Sequence, residues 1–269
     1  MSPLTDTGML DLGNQQLEYR WVGPRPADAP TCVLLHEGLG CVGLWGDFPE
    51  RLAAVTGLGV LAYSRAGYGG SSTISLPRPL NYMEREAIDV LPQLLQAVGF
   101  QRGLLIGHSD GASIAAIYAG NVEDHRIQGL VLIAPHFFVE DSGLEAIAEA
   151  KEAYEQGDLR GRLARWHNDV DAAFRGWNGA WLDPAFRKWD ITDALAYIRV
   201  PIAILQGIDD QYGTKRQIEV AEDECYCPVE VTMMAGVQHT PQREATDETL
   251  RVIADFARRV LDIGHDQQR

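Results

Sequence analysis

Short, nearly unbroken apolar runs alternate along this chain with longer segments of helical periodicity. Residues 31–36 form one such run, and 59–64, 103–107, 130–134 and 202–206 repeat the pattern. A strand that is apolar at every position is covered on both faces, which is the condition of a parallel sheet sandwiched by helices. Residues 229–234 alternate more and belong nearer a sheet edge. Between the runs, residues 84–98 are periodic and stop at Gly99, a residue suited to a left-handed C-cap. Residues 112–119 and 250–261 carry apolar side chains at helical spacing. The alternation predicts βα units: an α/β fold with a mostly parallel central sheet flanked by helices. No internal repeat is present.

One stretch breaks the alternation. From about 137 to 198 there is no strand pattern, only helical periodicity, charge and aromatics, including Trp166, Trp177, Trp181 and Trp189. It reads as a helical lid inserted after the sixth strand. The core is then 1–136 with 199–269, and the lid is 137–198. A pair of ordinary sheet-flanking helices is the plainer alternative.

Composition narrows the partners. A chain of 269 residues that is 46% apolar buries enough core to need no disulfide or metal staple. Its 38 acidic side chains against 23 basic ones give a formal charge of −15, which argues against nucleic acid and against an anionic membrane. No apolar run reaches the ~20 residues of a membrane helix. The stretch Met1-Ser2-Pro3-Leu4-Thr5-Asp6 lacks the basic and apolar regions of a secretory signal, so a cytoplasmic location is expected. The cysteines, Cys32, Cys41, Cys225 and Cys227, have no framework spacing and read as free thiols. Cys225 and Cys227 have no second Cys/His pair with which to complete a metal site.

The chemistry concentrates at Gly107-His108-Ser109-Asp110-Gly111. It matches G-x-S-x-G and lies between an apolar strand and a helix, the setting that motif needs. Ser109 would occupy a strained strand-to-helix turn, with glycines two before and two after to leave room. The turn lifts the hydroxyl above the sheet, and the helix N-terminus places partial positive charge beneath developing negative charge. The plainer reading of Ser109 is a helix cap. A serine nucleophile needs a base held by an orienting carboxylate. Gly207-Ile208-Asp209-Asp210 brings a carboxylate to the end of a strand, and His239 follows the next strand. The spacing favours Asp210, with Asp209 facing solvent. His108 reads as packing locally, and His125 and His265 as exposed.

With these placed, the chain resembles the α/β-hydrolase-fold proteins of the small, single-domain, lidded kind from about residue 10 to 260. The resemblance is carried by His36-Glu37-Gly38-Leu39-Gly40, by Tyr63-Ser64-Arg65-Ala66-Gly67-Tyr68-Gly69-Gly70-Ser71, by the serine turn, and by the later acid and histidine in order. It is similar to a bacterial subgroup with H-E-G-L-G and G-H-S-D-G. Two positions depart from the common pattern: Glu37 stands where most members have Gly, and Ser64 where many have Asp. The resemblance implies the α/β-hydrolase fold, a Ser109–His239–Asp210 triad, and an oxyanion hole made by the N–H groups of Asp110 and Gly38. An ionised carboxylate aimed into that hole would oppose the oxyanion. The Glu37 and Asp110 side chains must therefore turn away, towards each other's donors or solvent.

The expected activity is a serine hydrolase cleaving a small carboxylic ester or lactone through an acyl-enzyme, with no metal or organic cofactor. A carbon–carbon hydrolase of a vinylogous diketone would use the same three residues. Acyl transfer to an alcohol or peroxide, and a non-catalytic ligand receptor on the same fold, are the other readings. A serine nucleophile disfavours dehalogenation and epoxide opening, which this fold performs with aspartate. The lid aromatics point to a small-molecule substrate with an apolar or aromatic group. His136, Arg65 and Trp166 are candidate substrate contacts. His167 with Asp169 and Asp171 reads as solvated charge rather than a metal cluster. A homodimer stays open as a partner state.

Overall fold

The apolar runs become strands that are buried along their whole length. In the computed structural model, which describes residues 5–262, they are β3 (Thr31–Leu35), β4 (Gly59–Tyr63), β5 (Gly103–His108), β6 (Ile127–Ile133) and β7 (Ile202–Gly207), with the more alternating β8 (Val229–Met234) after them. His265 and residues 1–4 lie outside the described residues. Two further strands precede them, β1 (Thr7–Asp11) and β2 (Gln16–Val22). The sheet order is β1-β2-β4-β3-β5-β6-β7-β8. β1 pairs with β2, and β2 with β4, antiparallel; every other neighbouring pair is parallel. β8 is an edge strand, as its pattern predicts.

The period of two along each strand divides the core into two layers. Val33, Leu35, Leu61, Tyr63, Leu105, Leu130, Leu132, Ile202 and Ile204 face one side, with Met83, Leu91, Ile114 and Ile218. Cys32, Leu34, Val60, Leu104, Ile106, Val131 and Leu205 face the other. The helices Phe48–Thr56 and Thr246–Val260 close that second layer through Phe48, Leu52, Leu250, Ile253 and Phe256.

Two local features differ from the reading of the pattern. The helix expected over 84–98 runs as Tyr82–Arg85, a wide turn Glu86–Val90 and Leu91–Ala97. Pro92 has no N–H to give and its ring excludes the carbonyl four residues back, so the hydrogen-bond register widens just before it. The β1–β2 hairpin has no unbroken apolar run. In β2 only Leu17, Tyr19 and Trp21 are buried, at alternate positions.

Between β6 and β7 the chain forms the helices Asp141–Gln156, Leu159–Leu163, Val170–Trp181 and Thr192–Leu195. This insertion is joined at its base: Phe138 and Asp190 form an isolated antiparallel bridge, and the Ile191 N–H donates to the Phe137 carbonyl at 2.7 Å. Inside it Tyr154 and Phe174 stack with centroids 3.8 Å apart. Among the described residues no helix is long and apolar enough to cross a membrane.

Candidate active site

β5 runs into the helix Asp110–Asn121 through Ser109, whose φ of 53° and ψ of −118° belong to the sharp turn the motif demands. A Cβ on Gly107 would lie 2.2 Å from the Gly111 carbonyl oxygen, and one on Gly111 would lie 2.0 Å from that of Leu35. The turn thus closes only with glycine at both places. Ser109 does not cap its own helix. Its hydroxyl makes no hydrogen bond among the described residues, and it lines a cavity of about 130 Å³.

Asp210 follows β7 and His239 follows β8. His239 Nδ1 lies 2.8 Å from Asp210 Oδ2 and 2.9 Å from Oδ1, so the ring's Nε2 is the nitrogen left for chemistry. Asp210 also accepts from the Gln206 side-chain amide and the Tyr212 N–H, each at 2.8 Å. Burial alone would raise its carboxyl, but the bond to His239, that ring's charge and the Tyr212 amide hold it down at about 2. Asp209 is exposed. His239 and Ser109 line the same cavity.

The loop after β3 forms the facing wall. Asp110 is the first residue of its helix, so its N–H has no intrahelical partner. The Gly38 N–H makes no hydrogen bond among the described residues. A Cβ on Gly38 would lie 2.1 Å from the Trp177 indole nitrogen, so only glycine lets the helical insertion settle on this loop. The Asp110 side chain turns away from the hole, though neither to Glu37 nor to solvent: it accepts from the Tyr82 hydroxyl and from the Trp181 indole at 3.2 Å. Glu37 points to His108, with Oε2 3.5 Å from Nδ1.

His136 is in the cavity wall, its ring centred 5.6 Å from His239 and 5.4 Å from Trp181. Burial, then the His239 charge, lower its pKa to about 3. Its imidazole is a neutral group with no hydrogen bond from the described residues.

Two expected contacts lie elsewhere. Arg65 is fully buried behind the loop and donates to the His36 carbonyl and, at 2.9 Å, to that of Glu37. It braces the loop carbonyls and does not reach the cavity. Trp166 is 45% exposed, packs over Gly43 and does not line the cavity. Trp177 and Trp181 do. Four residues apart on the Val170–Trp181 helix, they share a face, a spacing visible in the sequence. Tyr212 joins them, packed 4.7 Å from the His239 ring. His167 is unavailable to a metal: Nδ1 accepts from the Gly69 N–H, and Nε2 donates to the Leu39 carbonyl, both at 3.0 Å.

Comparison with known proteins gives the wider setting. Residues 32–252 match the model of the alpha/beta hydrolase family. A bifunctional esterase/perhydrolase of Acinetobacter calcoaceticus is 26% identical over 72% of this chain and 78% of its own length. A proline iminopeptidase of Lactobacillus acidophilus is 29% identical over 46% of this chain and 42% of its own. Among solved structures, the proline iminopeptidase of Mycobacterium smegmatis superposes with a TM-score of 0.74, covering 94% of this chain and 98% of its own at 17% identity.

Proposed function

The chain belongs to the alpha/beta hydrolase family, and from that premise we propose that it is a serine hydrolase cleaving a small carboxylic ester or lactone. The observation that carries the reading is the His239–Asp210 hydrogen bond in the wall of the cavity onto which Ser109 opens. Ser109 Oγ attacks the substrate carbonyl as His239 Nε2 takes its proton. Asp210 holds the ring in the tautomer that leaves Nε2 free and stabilises the imidazolium that forms. The N–H groups of Gly38 and Asp110 donate to the oxyanion between them. The alcohol leaves with the proton from His239, and water activated by the same nitrogen releases the acid. The insertion of 137–198 serves as the lid, with Trp177 and Trp181 as its inner face.

The cavity's size adds a limit. At about 130 Å³ it is close to the ~150 Å³ void that accepts one benzene, so a short acyl chain or a single ring fits. The esterase/perhydrolase relative, matched over 72% of this chain, supports an ester, and the proline iminopeptidase relative matches 46% of it. The carbon–carbon alternative gains nothing from this wall. A dienoate substrate brings a carboxylate, and the lining residues include no lysine or arginine.

The test is steady-state release of p-nitrophenol from acetate, butyrate and octanoate esters by wild type and Ser109→Ala. Turnover of the two short esters is expected, lost by on the order of 10⁶ in the variant. Folded wild type without turnover on any of the three would sink the esterase reading.

A further inference from the structure

The backbone that carries His136 is fixed at every step. Ala134, two residues before it, takes a φ of 47°, left-handed backbone that a residue with a Cβ keeps only where its surroundings hold it. The Ala134 N–H donates to the Leu205 carbonyl at 2.9 Å. The His136 carbonyl accepts from the Ser113 hydroxyl at 2.5 Å, and the Phe137 N–H donates to the Gln217 side-chain oxygen at 2.7 Å. Ser113 and Gln217 are both fully buried. The Ser113 hydroxyl also lies 3.4 Å from the Ser109 carbonyl, so one side chain joins the His136 backbone to that of the proposed nucleophile. The imidazole is left free. Neither of its nitrogens has a hydrogen-bond partner among the described residues, although the residue is buried and lines the cavity. Other polar side chains of that wall are taken. His108 is bonded at both nitrogens, Asp110 accepts from Tyr82 and Trp181, and the Thr240 hydroxyl donates to Glu244.

A buried polar group without a partner costs free energy that a matching group on a ligand recovers. The rings packed against His136, those of His239 and Trp181, bond to neither of its nitrogens. Burial keeps the imidazole uncharged, so it offers one N–H donor and one acceptor nitrogen and is too weak a base to compete with His239 for the serine proton. A hydroxyl matches such a ring in either tautomer, because it can accept or donate. We infer that His136 is a specificity residue of the hydrolase, and that its imidazole hydrogen-bonds a hydroxyl carried by one of the two carbons next to the scissile carbonyl. The preferred substrate is then a hydroxy ester or hydroxy lactone, with Ile147, Trp177 and Trp181 taking its apolar remainder. The inference rests on the hydrolase reading above and narrows its substrate class.

Methyl butyrate, methyl 2-hydroxybutyrate and methyl 3-hydroxybutyrate share a leaving group and a carbon chain, and acid release in a pH-stat follows all three. Both enantiomers of each hydroxy ester are taken. Dividing each kcat/KM by the rate of the same ester in hydroxide removes the inductive effect of the added oxygen. In wild type at least one hydroxy ester is expected to exceed methyl butyrate by about tenfold or more on this scale, because a site built to bond a hydroxyl rejects the analogue that lacks it. His136→Phe keeps a ring and removes both hydrogen-bonding atoms, and there the ratio should fall to about one. His136→Gln restores a donor and an acceptor and should recover part of the preference. The ratio is the readout because a general disturbance of the wall slows all three esters and cancels in it. A corrected ratio of about one for every hydroxy ester in wild type overturns the inference without any variant. A preference that survives His136→Phe overturns it too, and in either case turnover of methyl butyrate leaves the hydrolase reading standing. No turnover of any of the three by folded wild type overturns both.

Discussion

Asp210 receives four donors, from Gln206, His239, Tyr212 and Gly213, and this convergence is what fixes one carboxylate against one ring nitrogen. Asp210→Asn keeps the shape but offers His239 a donor where it needs an acceptor, favouring the wrong tautomer. Turnover of p-nitrophenyl butyrate by this variant should drop by about 10⁴ with the chain still folded. A drop under tenfold would remove Asp210 from the proposed triad. The positions of Ser109, Asp210 and His239 were legible because each follows a strand, and strand ends converge along one edge of a parallel sheet. Trp166 and Arg65 were misread for a common reason. Both occupy stretches rich in aromatic or charged chemistry, but which way a side chain turns depends on packing partners far away in sequence. Arg65 is drawn to loop carbonyls near His36, and Trp166 to the glycine surface at Gly43. Glu37 was readable only as a group that must avoid the oxyanion. What it faces instead is His108 at the end of β5.

At the level of elements, the insertion and the loop after β3 are fitted to each other at one glycine. Gly38→Ala would drive a Cβ into the Trp177 indole, so either the loop or the Val170–Trp181 helix must move. The expected loss in kcat/KM is about 10², the cost of one displaced oxyanion donor. Adding Trp177→Ala should recover part of that loss, because the two residues share the clash and their effects are not additive. Two independent, additive losses would refute the fit. A second tie is the Trp181 indole on Asp110. Trp181→Phe keeps an aromatic ring and removes the donor. It should cost about 1–3 kcal/mol, as for leaving a buried acceptor one hydrogen bond short, and appear as a lower Tm with a raised KM. The strands covered on both faces were readable from their uninterrupted apolar runs. The β1–β2 hairpin was not, since its burial alternates and its partner, β4, is distant in sequence. Pro92 was visible, but whether a proline ends a helix or only widens one turn depends on what the flanking turns pack against.

For the whole molecule, the buried histidines set the response to acid. His136 has its pKa lowered from 6.5 to about 3, by burial first and then by the His239 charge. Burial also lowers His36 and His167. Such a group binds a proton in the unfolded chain at a pH where the folded chain refuses it. The contribution of His136 to stability is therefore whole above about pH 6.5 and declines as pH falls towards about 3, by roughly 1.4 kcal/mol per pH unit. Tm measured from pH 7 to 4 should fall accordingly, and His136→Gln should make that fall shallower by the equivalent of one proton. An unchanged slope would mean that His136 takes up its proton in the folded state. The net charge and the class of fold were legible from composition and alternation. The order of strands was not, because crossovers between β2, β4 and β3 leave no trace in local pattern.

The bridge at the base of the insertion bears on the history and engineering of the chain. Because Phe138 pairs with Asp190 and Phe137 with Ile191, the chain leaves the sheet layer and returns to it at adjoining points. The segment is thus a cassette. A replacement segment that keeps this backbone junction, and leaves room at Gly38, changes the roof of the cavity while the strand pairings below stay as they are.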